Sequence, residues 1–281
     1  MADSVETSKR VVVAKEQLWQ GDVRPSETLE MKRQVFLEAG CEVSGSVFGD
    51  EIRVEGPVHV HKAVYATHSV EVFADGLVRF DSTLGAREAV LVHPRSALTV
   101  IQGNVVARQI RLCNCIVYGA VLGDELFLEN TRCLGVVRGD RLVELRRSLV
   151  LTASGARVVF ADGCGLLLPY AEASHGFEIS GPISYLGADQ GDSALTQEDV
   201  VLSPSGRHYL TAGRRMTDLV RLKRELSNVG NLLLQLTMRN SIQRAQKNNA
   251  SLMYERNLLP KPIQDLANLS PEGELPSKHA T

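Results

Sequence analysis

Residues 44–54 read SGSVFGDEIRV, and the chain repeats this plan at residues 118–128, YGAVLGDELFL, and 134–145, LGVVRGDRLVEL. Each copy predicts a strand, a Gly-Asp turn and a second strand. Glycine can adopt a positive φ without a Cβ clash, and an aspartate side chain can hydrogen-bond the backbone of a turn. The predicted turn-forming residues are Gly49, Asp50, Gly123, Asp124, Gly139 and Asp140.

Apolar pairs two residues apart recur after each turn. Their first members are separated by 18, 20, 20 and 16 residues and form a predicted core column of Ile52, Val70, Val90, Ile110 and Leu126. Alternate residues of a strand face the same side, so repetition at one coil length stacks these side chains into a continuous interior. The pattern predicts a parallel β-helix. A further step of 16 reaches Leu142, where Glu144 replaces the expected apolar partner.

The hand of the coil has two readings. Apolar residues spaced by six, such as Val54, Val60 and Ala66, also suit the left-handed hexapeptide helix of many acyltransferases. That repeat usually has a small residue directly after the apolar one, whereas Glu55 and His61 follow here. Uneven coil lengths also suit the other hand, so we expect an all-β, right-handed parallel β-helix.

The remaining sequence divides by composition. We expect a flexible N-terminus and lead-in coil or cap at 1–32, the β-helix at 33–186, a linker at 187–213, a basic amphipathic α-helical extension at 214–256 and a disordered tail at 257–281. Apolar residues of the extension alternate in steps of three and four, which winds one seam along a helix. The seam residues are Leu219, Leu222, Leu226, Val229, Leu233 and Leu236.

This helix has nine Arg or Lys residues against three Asp or Glu residues between 213 and 256. Its seam could pack on the β-helix of the same chain, form a coiled coil with another copy, or bind a partner protein. The basic flanks could meet an anionic membrane surface. The whole chain has a net charge of −2 and gives no reason to expect nucleic acid as a partner.

Composition indicates a globular protein with 44% hydrophobic, 23% charged and only 5% aromatic residues. A slim coil interior holds branched aliphatic residues better than rings, which agrees with a solenoid. No apolar run approaches the ~20 residues of a membrane-spanning helix. An odd number of cysteines, five, without a secretory signal predicts a cytoplasmic protein, in association with a membrane if the basic helix binds one.

Groups that could carry chemistry are sparse. His59 and His61 share a strand face but alone make a weak metal site. Cys113, Cys115 and Cys133 could stack on adjacent coils, although buried cysteines are commonly core residues. His68 and His93 are the residues that a hexapeptide acyltransferase would use as a base. No set of acid, base and nucleophile converges, so we expect no enzyme, no cofactor and no metal.

The pattern V-x-G-x-V-x-G-D-x-[IL]-x-[VL] at residues 43–54, with VIQGNVVARQIRL at 100–112, resembles the bactofilins. The resemblance covers about residues 33–150. It implies a right-handed β-helix in a polymer-forming cytoskeletal scaffold that assembles without nucleotide. The long segment after residue 150 and the polar start MADSVETSKR depart from the family.

A β-helix end exposes unpaired backbone groups, so a homopolymer joined through the ends is the expected assembly unless the ends are capped. The alternatives are a hexapeptide-repeat acyltransferase with a left-handed β-helix and a β-helix adaptor that does not polymerise.

Overall fold

A computed structural model describes residues 9–25, 33–185 and 194–212 of the chain. These residues are nearly all β, and their parallel strands stack into a solenoid of about nine turns. The described residues contain one short 3-10 helix, Gln197–Asp199, and no α-helix. The predicted β-helix is therefore confirmed as a β-solenoid, while the predicted helix at 214–256 and its seam lie outside the described residues.

The solenoid contains strands of two to fifteen residues. They are β1 (Lys9–Val13), β2 (Leu18–Trp19), β3 (Arg33–Leu37), β4 (Glu42–Val43), β5 (Val47–Glu55), β6 (Val58–Val60), β7 (Val64–Phe73), β8 (Val78–Phe80), β9 (Leu84–Ala86), β10 (Ala89–Val92), β11 (Thr99–Ile101), β12 (Val105–Val106), β13 (Gln109–Cys113), β14 (Cys115–Val117), β15 (Val121–Glu129), β16 (Arg132–Arg146), β17 (Leu149–Phe160), β18 (Gly165–Leu166), β19 (Tyr170–Ile179), β20 (Ile183–Tyr185), β21 (Ala194–Leu195), β22 (Val200–Leu202) and β23 (His208–Thr211).

Three parallel sheets run along the solenoid. Sheet I begins with β1, β3 and the second half of β5, and it ends with residues 176–179 of β19. Sheet II begins with β2, β4 and β6 and reaches β18 and β20. Sheet III begins with the bridge from Val23 to Val47 and reaches the first half of β19. The long strands bend from one sheet into the next, so each coil encloses a narrow apolar interior.

The core column lies in sheet I. Ile52 is level with Val70, Val70 with Val90, Val90 with Ile110, and Ile110 with Leu126. Each of the five side chains is at most 1% exposed. Such close-packed aliphatic layers supply most of the burial that stabilises a solenoid. The period read from the sequence places these residues together.

Beyond Leu126 the column continues through Val143, not through Leu142 as the 16-residue step predicts. β16 carries one extra residue between Gly139 and Leu142, where the pairing register shifts. A β-bulge of this kind turns the following side chains by one position. As a result Val143 and Leu145 are buried, and the Glu144 side chain lies outside, 22% exposed.

The Gly-Asp motifs do not form turns with a positive φ. Gly49, Gly123 and Gly139 lie inside β5, β15 and β16, at the corner where sheet III passes into sheet I, and none is among the residues with positive φ. Glycine suits these positions because there is little space for a side chain. A Cβ at Gly123 would lie 2.1 Å from the carbonyl oxygen of Ala107 on the preceding coil. The expected positive φ at these glycines is therefore wrong, because the strand bends there without a tight turn.

Seven of the described residues with a positive φ occupy instead the corner where sheet I passes into sheet II. They are Glu16, Gly40, Gly56, Asn114, Asn130, Arg147 and Gly163. Glycine and asparagine adopt this conformation most readily. At Gly56, with φ of 89°, a Cβ would lie 2.5 Å from the Cβ of Ala39. Asn130 Nδ2 donates to Asn114 Oδ1 at 2.7 Å and links two coils at this corner.

The residue after this corner is often small and buried, and it is cysteine at positions 41, 115 and 164. Sγ of Cys164 donates to the carbonyl oxygen of Leu145 at 3.2 Å. Thr131 and Ser148 bond carbonyl oxygens from equivalent places. These cysteines are therefore packing residues, and burial raises the pKa of the Cys41 thiol to about 11.

The less favoured alternative, a stack of Cys113, Cys115 and Cys133 on adjacent coils, does not form, and all three are core residues. Asn114, with φ of 56°, separates β13 from β14, so the first two cysteines lie on different sheets. Cys133 is level with Val117 and not with Cys115. All three side chains are buried, and burial raises the pKa of the Cys133 thiol to about 12.

Residues 194–212 close one end of the solenoid and do not form the predicted linker. β21 pairs antiparallel with β20, and β23 pairs antiparallel with residues 170–173 of β19 and with β22. Leu195 and Leu210 are fully buried against the last coil. A composition rich in glycine, serine and aspartate therefore accompanies short strands here, because the solenoid offers them an edge to pair with.

Candidate functional site

The described residues leave an open strand edge at the N-terminal end of the solenoid. Within the described residues β1 pairs only with β3, and β2 only with β4. The Glu38 N–H donates to the Val13 carbonyl oxygen at 3.0 Å, so the backbone groups of Val13 face β3. Backbone groups alternate along a strand, and those of Val12 therefore point away from β3, toward the open end. Val12 and Leu18 also have exposed side chains, 39% and 58%.

At the C-terminal end, two of the three sheets are covered. Sheet II ends on antiparallel β21, and sheet III ends on antiparallel β23 and β22. Residues 176–179 of β19 pair with β17 and, among the described residues, with no further strand. The outermost strand β22 exposes Val201 by 54% and Leu202 by 62%. The two ends of the solenoid are therefore chemically different.

Two of the three motif aspartates, Asp50 and Asp124, contact residues of other coils, whereas Asp140 lies near a residue of its own strand. Asp50 accepts hydrogen bonds from Arg33 Nη2 at 2.8 Å and from Thr67 Oγ1 at 2.5 Å, and so joins three coils. These hydrogen bonds, led by that from Arg33, hold the pKa of Asp50 well below its usual value. Asp124 pairs with Arg108 at 3.4 Å, and Asp140 lies 3.8 Å from Arg138 on its own strand. Asp50 is the member of the set with the strongest contacts.

A histidine cluster lies on the outer face of sheet II. Glu42 on β4 is level with His59 on β6, and His61 follows β6 directly. Ring centroids of the two histidines are 3.9 Å apart. Asp81, which follows β8, lies 2.9 Å from His59 Nε2 and 3.0 Å from His61 Nδ1. Burial raises the pKa of Asp81, but hydrogen bonds from His59 and Arg79 outweigh it and hold that pKa well below its usual value.

Sequence reasoning identified the shared face of His59 and His61 but missed Glu42 and Asp81. These carboxylates are 17 and 22 residues from His59, so only the exact lengths of two coils bring them to it. His68 and His93, the candidate bases, are both exposed. The His93 ring packs on Phe73 with centroids 4.2 Å apart, and neither histidine belongs to the cluster.

Comparisons with family models, with curated proteins and with solved structures find no match to this chain. The resemblance to bactofilins therefore remains an interpretation of the sequence motifs. In the described part of the chain, no helix is long and apolar enough to cross a membrane.

Proposed function

We propose that the chain is a structural scaffold that associates with further copies of itself through the open strand edge at the N-terminal end of its solenoid. The observation that carries this proposal is the contrast between the two ends. Three sheets end at β1, β2 and Val23 without a further strand in the described residues, whereas antiparallel strands cover two sheets at the other end.

Edge pairing is favourable here because an open parallel sheet presents a row of backbone donors and acceptors. Two N-terminal ends that meet about a two-fold axis would place β1 antiparallel to its copy, since an isologous contact uses the same patch on both partners. Longer polymers then need a second contact. Within the described ranges, residues 176–179 of β19 supply the other open strand edge of sheet I.

The same proposal includes a right-handed solenoid and membership of the bactofilin family. Coil lengths along the core column range from 15 residues, between Val143 and Val158, to 24, between Val11 and Val35. This variation supports a right-handed coil over a hexapeptide repeat, and it agrees with a bactofilin-like, nucleotide-independent scaffold. The basic segment 214–256 would act as an accessory element toward a partner protein or an anionic membrane.

Sedimentation velocity of Val12→Pro tests the edge. Proline fits an edge strand where its nitrogen faces outward, so this substitution removes an outward donor and keeps the β1–β3 ladder. We expect assemblies of the full chain to dissociate at concentrations where the wild type is associated. Val12→Thr, which keeps the donor, is the matched control. Equal association of Val12→Pro and wild type, with unchanged circular dichroism, would contradict the proposal.

Truncation after Ala212 separates the accessory segment from the solenoid. This variant keeps β21, β22 and β23, the antiparallel strands that cap the C-terminal end. A cut near residue 187 would remove this cap. We expect it to associate like the full chain. A stable monomer would show that the oligomerisation element lies after residue 212.

A further inference from the structure

The cluster on sheet II gathers three side chains of metal-ligand type. Glu42, His59 and His61 each offer one ligand atom, these atoms lie within 4.8 Å of one another, and no other such group of three occurs in the described residues. Two neighbouring strands and the residue after one of them supply the three side chains. Strand pairing therefore fixes their backbone positions before any ligand binds.

Asp81 determines which ring nitrogens face outward. A carboxylate only accepts hydrogen bonds, so the contacts of Asp81 Oδ2 with His59 Nε2 at 2.9 Å and His61 Nδ1 at 3.0 Å place a proton on both of those nitrogens. The other carboxylate oxygen accepts from Arg79 Nε at 2.7 Å. The nitrogens left for an ion are His59 Nδ1 and His61 Nε2. The second donates to Glu42 Oε1 in the metal-free protein, and an ion that binds there displaces its proton.

Both of these nitrogens face the same carboxylate. Glu42 Oε1 is 2.5 Å from His61 Nε2 and 4.0 Å from His59 Nδ1. In a tetrahedral zinc site, with bonds of about 2.0–2.1 Å, ligand atoms are about 3.3 Å apart. To reach this geometry, the distance from Glu42 Oε1 to His61 Nε2 must lengthen and that to His59 Nδ1 must shorten, each by less than about 1 Å. The Glu42 side chain is 48% exposed and has room to make this adjustment.

We propose that Glu42, His59 and His61 bind a divalent transition-metal ion of the zinc class, and that Asp81 is a positioning residue that orients both imidazoles. Two imidazoles and one carboxylate favour Zn²⁺ or Co²⁺ over Mg²⁺ and Ca²⁺, which prefer oxygen ligands. A carboxylate that accepts the second N–H of a ligating histidine is the usual support of such sites. The ion would link two neighbouring coils, and its fourth coordination position would be left for water.

Calorimetric titration of ZnCl₂ into the untagged, EDTA-treated full chain tests the site. We expect one ion per chain, with a dissociation constant tighter than about 10 µM. Co²⁺ should give visible absorption bands of four-coordinate geometry, and saturating Zn²⁺ should raise the Tm. Binding of Mg²⁺ at the same concentrations should be undetectable.

Variants assign the ligands. Glu42→Gln, at a half-exposed position, and His61→Gln should each weaken Zn²⁺ binding at least tenfold and abolish the Co²⁺ bands. Asp81→Asn should weaken binding by about 10-fold to 100-fold, with one ion still bound per chain. His93→Gln, an exposed histidine outside the cluster, is the matched control and should bind like the wild type. An absence of binding, or equal Zn²⁺ affinity in the wild type and Glu42→Gln, would overturn the proposal and leave a hydrogen-bonded cluster only.

Discussion

Replacement of Val90 measures directly how much the core column stabilises the solenoid. Val90 is fully buried and lies between Val70 and Ile110. Val90→Ala deletes two methyl groups, which lowers the free energy of unfolding by ~1.6 kcal/mol from transfer alone and by up to ~3 kcal/mol with the cavity. Val90→Asp places an ionisable group without a partner in this interior and costs several kcal/mol more.

The cost of Val90→Asp should depend on pH with a defined sign. Burial raises the folded-state pKa of the introduced carboxyl above its unfolded value of about 3.9. The folded state then binds the proton more tightly than the unfolded state, and the variant loses stability as pH rises through the folded-state pKa. Its deficit relative to the wild type should therefore be smaller at pH 5.5 than at pH 8.

Val106 offers the matched control, because it is also a strand valine but its side chain is 42% exposed. Urea unfolding followed by circular dichroism should give changes within about 0.5 kcal/mol for Val106→Ala and Val106→Asp. Denaturant midpoints that shift equally for the two positions would refute the assignment of Val90 to a dry column. A Val90→Asp deficit that grows toward low pH would refute the electrostatic reasoning.

Substitutions at three further positions test the corners and the motif aspartate by thermal and urea unfolding. Gly56→Ala should lower the free energy of unfolding by about 2 kcal/mol, because φ is 89° and the new Cβ would clash with Ala39. An unchanged free energy of unfolding would contradict the corner geometry. Arg147→Asn should be more stable than Arg147→Ala, since both lose the ion pair with Glu129 and asparagine tolerates φ of 46° better than alanine; equal stability of the two variants would count against strain there. Asp50→Asn should destabilise near pH 7, and its deficit should shrink as pH falls below 3.8, because Arg33 lowers the folded-state pKa of Asp50; a deficit independent of pH would refute that pairing.

The core column could be predicted from the sequence because burial repeats with the strand period. To place Val70 and Val90 in the column, one needs only the coil length and the alternation of apolar and polar residues along a strand. Both are visible in the sequence. The sequence shows a break in the pattern at Glu144 but not its cause, since a single extra residue in β16 changes the register without any special residue type. The period therefore predicts the interior but not the exact register of every coil.

The corners were harder to predict, because different residues satisfy the same backbone requirement. Asn114, Arg147 and Gly163 all adopt a positive φ at the same corner. The Gly-Asp motif drew attention to another corner, where steric room and not backbone conformation selects glycine. Motif recurrence identified a structural position correctly but indicated the wrong physical reason for it.

The histidine cluster and the C-terminal cap depend on contacts that are distant in sequence. Asp81 reaches His59 only because the intervening coil has its observed length. β21–β23 are short and lie in a stretch rich in small and polar residues that predicts a linker, and their strand conformation comes from pairing with β19, with β20 and with each other. Both features follow from the solenoid once it is formed, and the local sequence signal is limited to the apolar run Val200–Leu202, which could pair as an extra strand and does so.

Negative-stain electron microscopy of the untagged full chain over a range of concentrations tests self-association most directly. About nine turns at a spacing of ~4.8 Å give a single solenoid roughly 45 Å long. The account predicts rods at least twice that length, which shorten in Val12→Pro and persist without nucleotide. Uniform particles of single-solenoid length at every concentration would contradict it.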